Sequence, residues 1–179
     1  MKPPSARLAR FLMNLAPCIR ASGGRIVALS DDFKHLRVRL KFSLLTRNLV
    51  GTIYGGSMYS SIDPFYMLML MRILGSDYVV WDKSANIRFK RPAKVTLYAD
   101  FRFDDETLAN IREQVARDGE SNFTWTVALK DAAGTVYAEC DKVLYVAKKD
   151  FYKEKLRQRE ASAGKLAPIE VLRAERDAR

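Results

Sequence analysis

Between Leu36 and Leu44 apolar side chains fall on every second residue, with Arg37, Arg39, Lys41 and Ser43 between them. A period of two is that of a strand with one face buried. The same alternation runs through Ile87 and Phe89, through Val95, Leu97, Ala99, Phe101 and Phe103, and through Phe123, Trp125, Val127 and Leu129. Asp131-Ala132-Ala133-Gly134 predicts a hairpin turn into a last strand over 135–147. Within that strand the apolar parity changes from Val136, Ala138 and Cys140 to Val143, Tyr145 and Ala147, which predicts a bulge near Asp141.

Two stretches have the other period. Residues 64–75, PFYMLMLMRILG, are apolar on every side except at Arg72, so a helix here is buried nearly all round, with Gly75 closing it. Antiparallel strands curled about one long central hydrophobic helix form an α+β fold of the hotdog architecture. Near the start, Leu8, Phe11, Leu12 and Leu15 recur at i, i+3, i+4 and i+7 while Arg7, Arg10 and Asn14 take the other side, an amphipathic helix ended by Pro17. The expected organisation is an N-terminal helix and linker over 1–23, a hotdog domain over 24–149 and a basic tail, helical or disordered, over 150–179. The tail's apolar residues, Phe151, Tyr152, Leu156, Ile169 and Leu172, are too few for a core of their own but enough to dock as a helix.

Composition narrows the function classes. A chain of 179 residues, 48% hydrophobic, suits one domain with a full core. Two distant cysteines and a single histidine supply no metal-ligand spacing, so no metal and no cofactor are expected, and the cysteine usage fits a reducing, cytoplasmic setting. The N-terminal apolar run, interrupted at Asn14, falls short of an export signal. Gly55-Gly56, Ser60-Ser61 and Asp63-Pro64 break the apolar stretch 49–71, which therefore does not read as a membrane span. Of the net charge of +10, the two ends carry nearly all and the body is close to neutral. That argues against a nucleic-acid-binding face, and leaves basic ends that are solvated or meet RNA, an acidic partner or an anionic membrane.

The chemistry concentrates in residues 48–66, NLVGTIYGGSMYSSIDPFY. A carbonyl under attack develops negative charge, and N–H groups at a helix N-terminus are preorganised to receive it. Gly55 and Gly56, without Cβ atoms, let a substrate approach such an end closely. Asp63 is placed as the base that activates water or as the nucleophile, and Asn48 as an amide that orients water or substrate. Burial of Asp63 against Met and Phe side chains is expected to raise its basicity. Each residue also has a plainer reading. Asp63-Pro64 is an ordinary helix start, Gly55-Gly56 a turn, Asn48 a turn residue, Tyr54 a core aromatic and His35 a strand residue.

These residues resemble a motif of the phenylacetyl-CoA-thioesterase-like branch of the hotdog superfamily, which runs Asn, two residues, Gly, two residues, His-Gly-Gly, six residues, Asp. Asn48, Gly51, Tyr54-Gly55-Gly56 and Asp63 match every spacing, with Tyr54 at the histidine place, where the resemblance implies a catalytic role in which its hydroxyl partly replaces the imidazole. WDKSANIRFKRPA, residues 81–93, is similar to the family's strand that ends in Arg-Pro. With Tyr54 and Trp81-Asp82 the chain is most similar to that superfamily's domain-of-unknown-function group. The resemblance implies hydrolysis of an acyl-CoA thioester, with a non-catalytic acyl-CoA binder or structural hotdog protein as the alternative. Arg88, Lys90 and Arg91 then meet the coenzyme phosphates or form a solvated strand face, and Met67 on the central helix adapts to an acyl chain. If one helix ran through Gly56 and Asp63, seven residues apart, about 10 Å would separate them at roughly 1.5 Å per residue. That is too far to serve one carbonyl. A two-fold homodimer with antiparallel helices would bring Gly56 of one chain opposite Asp63 of the other; pairing of dimers into tetramers is left open.

Overall fold

The computed structural model describes residues 4–163. Ile169 and Leu172 of the expected tail lie outside the described residues. The chain runs α1 (Ala6–Leu15), α2 (Pro17–Ser22), β1 (Gly24–Leu29), β2 (His35–Leu40), α3 (Gly55–Ser60), α4 (Phe65–Leu74), β3 (Tyr78–Phe89), β4 (Leu97–Arg102), α5 (Asp105–Asp118), β5 (Glu120–Lys130), β6 (Val136–Lys148) and α6 (Lys149–Ala163). All six strands form one antiparallel sheet in the order β1-β2-β4-β5-β6-β3, so the fold is α+β. Leu36, Val38 and Leu40 of β2 are fully buried, as are Leu97, Ala99 and Phe101 of β4, and they share one core with Phe65, Met69 and Leu70 of α4. Aromatic rings bind α4 to the sheet: Tyr66 has its ring centroid 4.9 Å from Phe101, 5.4 Å from Phe103 and 5.7 Å from Trp125.

Four expectations need correction. The helix expected over 64–75 forms as α4, between Pro64 at its N-cap and Gly75 at its C-cap, but it is ten residues and not one long central helix: the six-residue α3 before it is set off by the turn through Ser61–Pro64, where Pro64 has no N–H to carry a helical ladder through. Nor is α4 buried all round: Phe65, Tyr66, Met69, Leu70 and Leu74 face the core, Met67 is half-buried and Met71 is exposed. The strand at 36–44 stops at Leu40, before Phe42 and Leu44. The bulge lies in β3, where register shifts between Asp82 and Ser84, and β6 runs through Asp141 in unbroken register with β5. The inward positions of β6 are 138, 140, 142, 144 and 146 throughout. What resembles a change of parity is Lys142 in a core position.

Helix α5 also interrupts the expected run of strands. Asp104 caps it by accepting a hydrogen bond from the Thr107 N–H at 2.7 Å, Asp105 and Glu106 complement its dipole, and Leu108, Ile111 and Val115 enter the core. Helix α1 forms as expected, but packs through its alanine edge, Ala6 and Ala9. It covers the outer edge of β1: the Asn14 amide donates to the Ile26 carbonyl at 3.0 Å and accepts from the Ile26 N–H at 2.8 Å, while Arg10 donates to Val27 at 3.0 Å. Unpaired edge groups thus find partners on a helix instead of a strand. No helix among the described residues is long and apolar enough to cross a membrane.

Candidate active site

The loop after β2 closes on itself before the first glycine of the motif. The Asn48 side chain accepts from the Thr52 N–H and donates to its hydroxyl, both at 3.0 Å, with Gly51 in the left-handed region at φ 80° inside the turn. Asn48 is therefore held as a turn residue, in half-buried surroundings. The chain then enters α3, with Tyr54 at the N-cap and no side chain capping the helix. Among the described residues no hydrogen bond uses the N–H groups of Gly55, Gly56 or Ser57. Those three donors are the unpaired amides expected of a helix start.

Aromatic rings lie close over both glycines. A Cβ on Gly55 would stand 3.0 Å from the Phe89 ring, and one on Gly56 would stand 2.2 Å from the Tyr54 ring. The Tyr54 ring is itself 59% exposed. Beside Gly55 opens a cavity of about 410 Å³ bordered by Ile53, Met58, Phe89, Lys90, Arg91 and Pro92.

Asp63 does not cap α4; Pro64 occupies the N-cap position, without a side-chain hydrogen bond. The Asp63 carboxylate turns to Lys142, whose Nζ donates to Oδ1 at 2.6 Å. Lys142 is 1% exposed, and a second carboxylate, Asp82, stands 3.0 Å from the same ammonium, at ion-pair distance but outside hydrogen-bond geometry. The Tyr59 ring lies 5.5 Å from Nζ. Burial works against the charge of Lys142, yet the two carboxylates outweigh it and hold the ammonium's pKa above its ordinary value. The burial expected of Asp63 falls instead on Asp82: the Asp63 side chain is 41% exposed, while desolvation pushes the Asp82 carboxyl upward against the pull of Lys142. Tyr59 is pushed up as well, by burial and then by the neighbouring Asp63.

The bulge at Lys83 explains how β3 contributes. Val80 and Asp82 on one side of it and Ala85, Ile87 and Phe89 on the other pair with Val146, Leu144, Lys142, Cys140 and Ala138, the inward positions of β6. Without the extra residue, Asp82 and Ala85 would not share a face. Lys142 and Asp82 are functional candidates that the motif spacing does not contain. Their signals are a lysine at the core parity of a strand, and a lone aspartate after Trp81.

The cationic strand end is largely committed. Arg88 donates to Asp141 at 2.5 Å and holds it at a pKa of about 2, and Lys90 pairs with Glu139 at 3.1 Å. Arg91 has no carboxylate partner among the described residues; it faces the Tyr137 ring at 6.0 Å and borders the cavity beside Gly55. His35 pairs with Asp100 at 2.8 Å on neighbouring strands, away from the motif.

Comparison with known proteins agrees with this architecture. A protein of unknown function from Pseudomonas aeruginosa, PA5026, described as a probable thioesterase, has a TM-score of 0.72 at 22% identity, over 82% of this chain and 97% of that one. A protein of unknown function from Chlorobaculum tepidum aligns with TM-score 0.63 at 15% identity, over 80% and 93%. The thioesterase HI1161 from Haemophilus influenzae aligns with TM-score 0.60 at 12% identity, over 82% and 93%. No curated protein matches the chain. The family described as Domain of unknown function (DUF4442) matches residues 5–146, and the chain belongs to it.

Proposed function

We propose that the protein is an acyl-CoA thioesterase of hotdog type, in which α3 and α4 together take the place of the central helix. The observation that carries the reading is Asp63: the aspartate at the motif spacing leaves the cap of its own helix and is fixed by a buried lysine, yet stays open to water. In the reaction, water activated by Asp63 adds to the thioester carbonyl carbon, and the oxygen's charge is received by the free N–H groups at the start of α3. The C–S bond then breaks, and the proton taken from water passes to the leaving thiolate, giving free acid and CoA. Lys142 positions the Asp63 carboxylate, and Met67 offers an adaptable wall to the acyl chain. Asp63→Asn should lower release of free thiol from a panel of acyl-CoA thioesters by roughly 10²–10⁴-fold, the scale of a lost general base. An unchanged rate in a folded variant would remove Asp63 from the mechanism.

Of the three cations expected to meet coenzyme phosphates, Arg91 is the one without a carboxylate partner among the described residues, so Arg91→Gln should weaken CoA binding more than Arg88→Gln. Titration of free CoA into each variant checks this, and equal losses would point to a structural role for the strand end. A second reading, a non-catalytic acyl-CoA binder, draws on the Tyr54 and Phe89 rings lying against the two glycines. Saturable CoA binding with no thiol released from any thioester would favour it.

A further inference from the structure

We propose that the face built from α1, α2 and the covered edge of β1 docks on the surface of a bilayer containing anionic phospholipid, with α1 lying in the headgroup layer. Helix α1 turns the wrong side inward for a helix that serves only the core. At roughly 100° per residue, Ala6, Ala9 and Met13 share its packed side, while Leu8, Phe11, Leu12 and Leu15 point roughly the opposite way. Those four are 47%, 58%, 51% and 49% exposed, a continuous apolar stripe in water, with a further exposed leucine, Leu45, nearby. Stripes of this kind on a protein surface mark a contact.

Beside the stripe lies an open cleft of about 870 Å³ whose lining includes Arg7, Arg10, Arg20, Arg25, Arg39 and Lys41. No carboxylate lines it, and none of the six cations takes part in an ion pair among the described residues. Elsewhere the chain answers its clustered cations: Arg88 and Lys90 meet Asp141 and Glu139, and Lys155 meets Glu120. Uncompensated among the described residues, these six cations call for anions from outside that set.

Phe11, Leu15 and Leu45 border this same cleft, so the apolar and cationic surfaces are contiguous. Their combination selects the occupant. A second copy in two-fold contact would set six cations against six. A soluble phosphate would satisfy the cations and leave the stripe in water. A bilayer supplies phosphates at the headgroup level and apolar depth just beneath, which is how a basic amphipathic helix binds without spanning. Helix α1 has only ten residues, so both contributions are needed and the attachment is reversible.

The test is sedimentation of the full chain with vesicles of phosphatidylcholine alone or mixed with phosphatidylglycerol. Binding is expected only to the anionic vesicles and should weaken as salt rises. At about fivefold per cation, Arg7→Gln/Arg25→Gln/Arg39→Gln should weaken binding roughly a hundredfold. Leu8→Ser/Leu12→Ser should weaken it about tenfold or more. All five positions lie on the surface or half-buried, and an unchanged thermal transition verifies folding. Arg157→Gln/Arg159→Gln, on α6, should bind as the wild type does. The proposal falls if the wild type ignores both vesicle types or binds them equally, if the α1 variants still bind in full, or if the α6 variant loses as much. It falls equally if the α1 variants lower the oligomeric mass without lipid, which would make this face a contact between copies. None of these readouts depends on thioester hydrolysis.

Discussion

An ammonium removed from water costs several kcal/mol unless carboxylates meet it, and Lys142 meets two. The three groups are unequal, because Lys142 is 1% exposed while Asp63 and Asp82 keep 41% and 25% of their side-chain surface. Removing the lysine leaves Asp63 open to water and Asp82 with one buried oxygen; removing both carboxylates strands a charge that is buried whole. Lys142→Met should therefore cost about 1–2 kcal/mol and Asp63→Asn/Asp82→Asn about 3–5 kcal/mol in urea unfolding. The reverse order would mean that the lysine is less buried than its position implies. Tyr66 gives a second residue-scale test, since burial lifts its hydroxyl to about 12 from an ordinary value near 10. The folded chain holds that proton longer than the unfolded one, so this contribution is present below about pH 10 and is lost as pH rises from there through about 12. Tyr66→Phe, which gives up only a 3.4 Å hydrogen bond to Thr126, should flatten the alkaline slope of stability against pH. At this scale the resembled motif singles out the aspartate and the glycines as candidates. Lys142 was visible only as a break in parity, because a buried lysine and a bulge leave the same mark on an apolar pattern.

Strands β2 and β4 were legible because each buries one face and alternates plainly, whereas β1 buries only Ile26 and β3 only Val80, so their patterns carry a weaker signal. Helix α5 was not read, since only Leu108, Ile111 and Val115 enter the core along fourteen residues, although Asp104 before it and Gly119 after it mark both ends. The division of α3 from α4 falls at Ser61–Pro64, and Ser60-Ser61 and Asp63-Pro64 mark that turn in the sequence. Helix α6 docks more firmly than a solvated tail: Phe151 lies against Gly119, Tyr152 faces Tyr145 at 6.1 Å and Lys155 pairs with Glu120 at 2.5 Å. Phe151 and Lys155 remain substantially exposed, so these contacts contribute about 1–2 kcal/mol together. Ending the chain after Lys149 should keep one cooperative thermal transition and lower its midpoint by about 2–8 °C. Loss of the transition in a soluble truncation would make α6 part of the core.

Across the whole molecule, the two edges of the sheet differ. Helix α1 closes β1, whereas β3 presents Lys83–Asn86 to solvent with half-exposed Trp81 and Phe89 on either side. We propose that β3 is the edge on which two copies would pair, in the two-fold arrangement that would bring α3 of one chain to Asp63 of the other. Gly56→Leu, which collides with the Tyr54 ring, and Asp63→Asn should each be inactive. Subunit exchange between them should restore up to half the wild-type activity per heterodimer, since one of its two sites is intact. Verified heterodimers without activity would rule out a shared site. The cover that Asn14 and Arg10 place over β1 has a further consequence for growth. A sheet open at both sides can recruit chain after chain into a fibre, but a sheet open at one side would be finished by its first partner, so on this proposal the covered β1 edge would end growth at two copies.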